Sequence, residues 1–101
     1  MKKYEVLLTA SAEQSYLAIP DSKIEAVDRL LDVLAIAPDL GAEYDPVYPA
    51  ARPPFAVRVL YAKPYGVYYS TDPATEKVYV RYIEDERMDP LTRFEGRLGQ
   101  G

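Results

Sequence analysis

The 101-residue chain contains no cysteine, no histidine and no tryptophan. Without cysteine there can be no disulfide, thiolate metal site or cysteine nucleophile. Without histidine the chain also lacks the commonest general base near neutral pH and the usual ligand of transition-metal sites. Any catalysis must come from Arg, Lys, Tyr, Asp or Glu, and we expect neither a metal nor a cofactor. Long hydrophobic runs are missing too. Met1-Lys2-Lys3-Tyr4 is followed only by Val6-Leu7-Leu8, too short for a signal peptide or a membrane span. The expectation is a cytoplasmic protein with no membrane partner. No glycine-rich phosphate loop and no serine-centred nucleophile motif is present.

What is there is a small acidic chain of formal net charge -4, with ten Tyr and nine Pro. The length suits a single domain, residues 1–101, burying roughly 60–65% of the surface its unfolded form exposes. The acidity is uneven. Residues 13–45 carry eight acidic and two basic side chains, and residues 46–101 carry seven acidic and eight basic. Such a balance disfavours non-specific binding of a phosphate backbone, yet it allows a local basic groove in the second half.

Lys3 to Thr9 alternates and is rich in β-formers, which predicts a strand. Ser11 and Gln14 stand at capping-box spacing and open a short helix running to about Ala18, which Pro20 ends. Ser22 and Glu25 repeat the spacing. Ile24, Val27, Leu30, Leu31 and Leu34 then recur at helical period, with Glu25, Asp28, Arg29 and Asp32 facing outward. The short turn Ile19-Pro20-Asp21 makes the two helices an antiparallel hairpin. Prolines 38, 46, 49, 53 and 54 with Gly41 disfavour regular structure from Ala37 to Pro54. Three strands follow, Phe55–Tyr61, Tyr65–Thr71 and Lys77–Ile83, joined by hairpin-length turns. The tail Leu91–Gly101 reads as a frayed turn or short helix. The fold class is therefore α+β: a strand, an antiparallel helix hairpin and a three-stranded antiparallel meander. Both helices should lie on one face, burying the α-helical stripe against Val57, Val59, Val67, Val78 and Val80, with the other face open.

Three stretches, taken in order, resemble the RelE/ParE superfamily of type II toxins. They are Tyr4–Ala12; Leu30–Leu34 leading to Ala37-Pro38-Asp39-Leu40-Gly41; and Phe55–Tyr61 followed by Tyr65-Gly66-Val67-Tyr68-Tyr69 and Val78–Ile83. The resemblance covers residues 4 to about 90. It implies the toxin of a toxin–antitoxin pair, in the first place a metal-independent, ribosome-associated mRNA endonuclease. The alternatives are a ParE-like toxin that blocks DNA gyrase without cutting RNA, and an inactive member that only binds an antitoxin-like partner. The implied partners are an antitoxin, together with the ribosome and mRNA or DNA gyrase. An antitoxin would add to an exposed edge such as Lys3–Thr9 or Lys77–Ile83. Two departures stand out. Gly66 occupies the place of a basic residue in the mRNA-cutting members, and Glu84-Asp85-Glu86 replaces a basic cluster in which only Arg87 matches. In the tail, Leu91, Arg93 and Phe94 stand where the RNases often carry a Tyr.

RNA cleavage through its own 2′-hydroxyl needs a base, cations around the phosphorane and a proton for the leaving oxygen. Arg58, Arg81 and Arg87 are the candidate catalytic cations. Lys63 is a further substrate-binding cation, and Tyr68 and Tyr79 are candidates to stack on a base. Strand alternation allows Arg58, Tyr68, Tyr79 and Arg81 to meet on the uncovered face. The plain alternative is an amphipathic sheet face whose Arg residues pair with acids such as Glu76 or Glu84. Glu84-Asp85-Glu86 itself reads as a solvated charge run.

Overall fold

The computed structural model describes residues 3–44 and 57–87. The predicted tail 91–101, residues 45–54 of the proline-rich connection and the predicted strand residues Phe55 and Ala56 lie outside them. The elements run β1 (Glu5–Leu8), α1 (Ala10–Leu17), α2 (Asp21–Ile36), β2 (Ala42–Glu43), β3 (Arg58–Ala62), β4 (Tyr65–Asp72) and β5 (Lys77–Asp85). They build a five-stranded sheet in the order β1-β5-β4-β3-β2.

The predicted meander is present as β3, β4 and β5, paired antiparallel. β1 adds in parallel to β5, with Val6 opposite Val78 and Leu8 opposite Val80. The helix hairpin between β1 and the meander provides the crossover that a parallel pair requires. β5 is consequently an interior strand, which corrects the expectation that Lys77–Ile83 forms an edge. β1 and the two-residue β2 stand at the ends of the strand order. β2 was not expected, because two residues carry no readable period.

α2 uses the predicted stripe. Val27 and Leu34 are fully buried, and Ile24, Leu30 and Leu31 are partly buried against them. Each fully buried side chain contributes about 1.5–3 kcal/mol by leaving water. The first core layer joins these to Ala12, Ile19, Val67, Tyr69, Val78, Val80 and Ile83. Neither predicted capping box forms. Thr9 caps α1, its Oγ1 accepting from the Ala12 N–H at 3.3 Å and donating to the Arg81 carbonyl at 3.0 Å. α2 begins after Pro20, whose carbonyl accepts from the Lys23 and Ile24 N–H groups, with no side-chain cap. Pro20 takes the N-cap position with an extended backbone, φ -59° and ψ 148°, and Ser22 lies inside the first turn.

The second face of the sheet is not open. Val57, Val59, Tyr68 and Tyr82 form a second buried cluster there, with Tyr44 packed against it. Tyr44 meets Tyr68 edge-on, with ring centroids 4.9 Å apart. Val57 and Val59 thus pack away from the helices, contrary to expectation. The reason is register: Val59 lies opposite Tyr68, whereas Leu60 lies opposite Val67, so Leu60 supplies the helix-facing position on β3.

Candidate functional site

Sheet register separates the residues that the sequence nominated together. Arg58 lies opposite Tyr69 and therefore faces the helices, not the side of Tyr68. Its Nη1 donates to the Gly41 carbonyl at 2.7 Å. Tyr69, fully buried, donates its hydroxyl to the Pro38 carbonyl at 2.7 Å and accepts from the Gly41 N–H at 2.9 Å. Arg58 and Tyr69 together clamp the segment leaving α2. Burial pushes the Tyr69 hydroxyl pKa up, against the opposing pull of the Gly41 N–H and the Arg58 guanidinium.

Arg81 and Tyr79 share the second face. The β4–β5 ladder pairs Tyr69 with Val80 and Tyr68 with Tyr82, which leaves Arg81 as the extra residue of a bulge. Both Arg81 and Tyr82 consequently project to that face. The Arg81 Nε donates to Ser70 Oγ at 3.0 Å, and its guanidinium lies 5.3 Å from the centre of the Tyr79 ring. Tyr68 is buried at 0% exposure, so its ring has no free face for a nucleobase. Its hydroxyl donates to Glu86 Oε2 at 3.0 Å. The expected assembly of Arg58, Tyr68, Tyr79 and Arg81 does not form.

A different assembly does. At the end of the sheet where β3 turns into β4 and β5 finishes, a cleft of about 580 Å³ is lined by Lys23, Tyr61, Lys63, Pro64, Glu86 and Arg87. It holds the predicted Lys63 and Arg87 but not Arg81, which lies five residues before Glu86, roughly 16 Å back along the chain. Each lining element has a local cause. The two-residue turn Lys63-Pro64 follows from Ala62 pairing with Tyr65. The Glu86 N–H donates to the Pro64 carbonyl at 2.7 Å, which seats the end of β5 against that turn. Tyr61 is half exposed at 53%. Arg87 is bound by Asp85 through two bonds of 2.9 and 2.6 Å, and this pairing lowers the Asp85 carboxyl to about 2.

Glu84-Asp85-Glu86 is not a solvated run. Glu84 is buried, Asp85 orients Arg87, and Glu86 accepts from Tyr68. Gly66 explains how Glu86 fits. A Cβ at residue 66 would lie 3.1 Å from the Glu86 carboxyl carbon and Oε2 and 3.0 Å from the Tyr68 ring. Sequence reasoning missed Lys23, Tyr61 and Glu86. Lys23 carries no motif in the sequence, and only the packing of α2 brings it to the turn. The cleft gathers, among the described residues, three cations, one carboxylate and an exposed aromatic ring, a set suited to a phosphodiester with an adjacent base. Among the described residues no group of three or more acidic side chains is placed to hold a metal ion, and no described helix is long and apolar enough to cross a membrane.

With elements and register in place, the architecture is an α+β domain of the RelE-like fold. A chain of the toxin–antitoxin complex RelBE2 from Mycobacterium tuberculosis superposes with a TM-score of 0.65, covering 82% of this chain and 98% of its own length at 18% identity. A chain of the archaeal RelE–RelB complex from Pyrococcus horikoshii OT3 superposes at 0.66, covering 86% and 99% at 11% identity. No family model matches the sequence, and no curated protein matches it. At these identities the likeness establishes the fold.

Proposed function

We propose that this protein is the toxin component of a type II toxin–antitoxin pair and that it cuts ribosome-associated mRNA at the Lys63–Arg87 cleft. The observation that carries the reading is the convergence of Lys23, Lys63 and Arg87 around one cleft in a chain whose net charge is -4. Phosphodiester cleavage develops negative charge on the phosphorane oxygens, and cations fixed around that position stabilise it more than they stabilise the ground state. The exposed ring of Tyr61 offers a stacking surface for the neighbouring base. The fold it shares with chains of two toxin–antitoxin complexes supports an antitoxin partner, and the edge strand β1 is where an added strand would pair.

In this reading the roles of the nominated residues change. Arg87 and Lys63 hold phosphate, Arg58 holds the fold, and Arg81 with Tyr79 lies outside the cleft. The ParE-like and the inactive, partner-binding readings are favoured by one observation: Arg87 is already bound twice by Asp85. An exposed ion pair of this kind is worth only about 0–1 kcal/mol, and a phosphate can replace it. The test is induced expression in a bacterial host, with growth followed and mRNA 5′ ends mapped for wild type, a Lys63→Ala/Arg87→Ala double variant and Arg81→Ala. The proposal expects arrest with new in-frame ends, lost in the double variant and kept in Arg81→Ala. Arrest without new ends would favour the gyrase-type target, and normal growth with folded protein would leave the partner-binding role.

A further inference from the structure

Attack by a 2′-hydroxyl requires an acceptor for its proton, and the lysine and arginine cations of the cleft are donors only. The geometry points to Glu86 as the catalytic base and to Tyr68 as the residue that positions it, an inference that rests on the RNA-cleaving reading above.

Among the described residues, Glu86 is the carboxylate that lines the cleft. Three contacts place it. Its main chain is bonded to the turn that carries Lys63, through the Pro64 carbonyl at 2.7 Å. Its Oε2 accepts from the Tyr68 hydroxyl at 3.0 Å, and Tyr68 is itself immobilised by complete burial. The absence of a side chain at Gly66 gives the carboxylate its seat, since a Cβ there would come within 3.1 Å of it. A carboxylate held by a buried donor on the wall of a cation-lined cleft is preorganised for proton transfer.

The step balances within the chain and the RNA. The Glu86 carboxylate takes the 2′-hydroxyl proton as the O2′–P bond forms. Lys23, Lys63 and Arg87 surround the phosphorane. The P–O5′ bond then breaks, and the leaving oxygen takes a proton from a lysine ammonium or from water. The products are a 2′,3′-cyclic phosphate and a 5′-hydroxyl, and no oxidant, reductant or metal enters.

A counter-charge and a base behave differently on substitution. If Glu86 only neutralised the cleft, Glu86→Gln would strengthen RNA binding and speed cleavage together. As the base, its loss strengthens binding or leaves it unchanged while slowing cleavage. The experiment incubates the purified protein with ribosomes programmed with one defined mRNA and measures both binding and the rate of appearance of 5′-hydroxyl ends. Expected for Glu86→Gln is cleavage about 100-fold slower or worse, with binding as tight as wild type or tighter. Glu86→Asp, which keeps the carboxylate, should recover part of the rate. Tyr68→Phe should slow cleavage about 10-fold with binding unchanged. Thermal unfolding of each variant separates loss of fold from loss of chemistry, with Glu86→Asp deciding if Glu86→Gln does not fold. Cleavage by Glu86→Gln at the wild-type rate would overturn the role of Glu86 and leave the RNA reading standing. Intact mRNA with the wild-type protein would overturn the RNA reading, and the base with it.

Discussion

Tyr68 and Tyr69 are adjacent in sequence, both at 0% exposure, and they do different work because a strand sends them to opposite faces. Tyr69 bonds to main chain, at Pro38 and Gly41, and so holds the segment after α2 against the sheet. Tyr68 bonds to a side chain, Glu86, which lines the cleft. One hydroxyl fixes the fold and the other holds a carboxylate that lines the cleft. The two glycines divide in the same way. A Cβ at Gly41 would lie 2.5 Å from the Tyr69 hydroxyl, and a Cβ at Gly66 would lie 3.0 Å from the Tyr68 ring and 3.1 Å from the end of Glu86. A buried tyrosine's role therefore follows from what its hydroxyl touches, not from how deeply it is buried.

The largest expected effect that sharpens this contrast is Gly41→Ala. The new methyl collides with a hydroxyl held by two main-chain bonds, and overpacking of this kind costs about 3 kcal/mol. A urea midpoint shifted down at unchanged slope checks it. Arg58→Ala should cost about 1–2 kcal/mol through the lost charge-assisted bond to Gly41, with mRNA cleavage per folded molecule unchanged. A large loss of cleavage at wild-type stability would instead return Arg58 to the catalytic set. Gly66→Ala should cost about 1 kcal/mol, because the new methyl lies 3.0 Å from the buried Tyr68 ring as well as 3.1 Å from the Glu86 carboxylate, and it should slow cleavage by displacing the carboxylate. Kinetics alongside thermal unfolding reads both.

The smallest effects concern pH. The raised Tyr69 pKa means that the folded state favours the neutral phenol. Its stabilisation is complete below the usual value of 10.0 and is lost as pH rises through the elevated folded value. Tyr69→Phe should therefore flatten the alkaline end of the stability profile. Asp85 behaves oppositely: its carboxyl falls from 3.8 to about 2, so its contribution is present above pH 3.8 and lost as pH falls through about 2. Because the pair is exposed, Asp85→Asn should change stability by at most about 1 kcal/mol.

Much of the fold was legible. The helical stripe from Ile24 to Leu34 and the three alternating segments of the second half carry their periods openly, and they gave α2 and the meander. The faces were harder to read. Arg58 and Tyr68 both belong to alternating strands, but only the pairing of Arg58 with Tyr69 decides that they lie on opposite sides. The bulge at Arg81 is likewise a property of the β4–β5 register, and no residue type announces it. The capping boxes misled because Thr9 and Pro20 were better placed to start the helices than Ser11 and Ser22. Of the site, Lys63 and Arg87 were legible as cations flanking strands. Glu86 was hidden in an acidic run, and its available signal was the small residue Gly66 on the neighbouring strand, read only as a missing basic side chain.

The measurement that tests the account most directly pairs Tyr68→Phe with Tyr69→Phe, each assayed for thermal stability and for cleavage of mRNA on programmed ribosomes. The account predicts that Tyr69→Phe loses about 2 kcal/mol, because the buried Gly41 N–H and the partly buried Pro38 carbonyl lose their partner, and keeps its cleavage rate per folded molecule. It predicts that Tyr68→Phe keeps its stability to within about 1 kcal/mol, since the partly exposed Glu86 can turn to water, and loses about tenfold in rate. The same pattern of losses in both variants would contradict it, because the two faces would then not divide fold from chemistry.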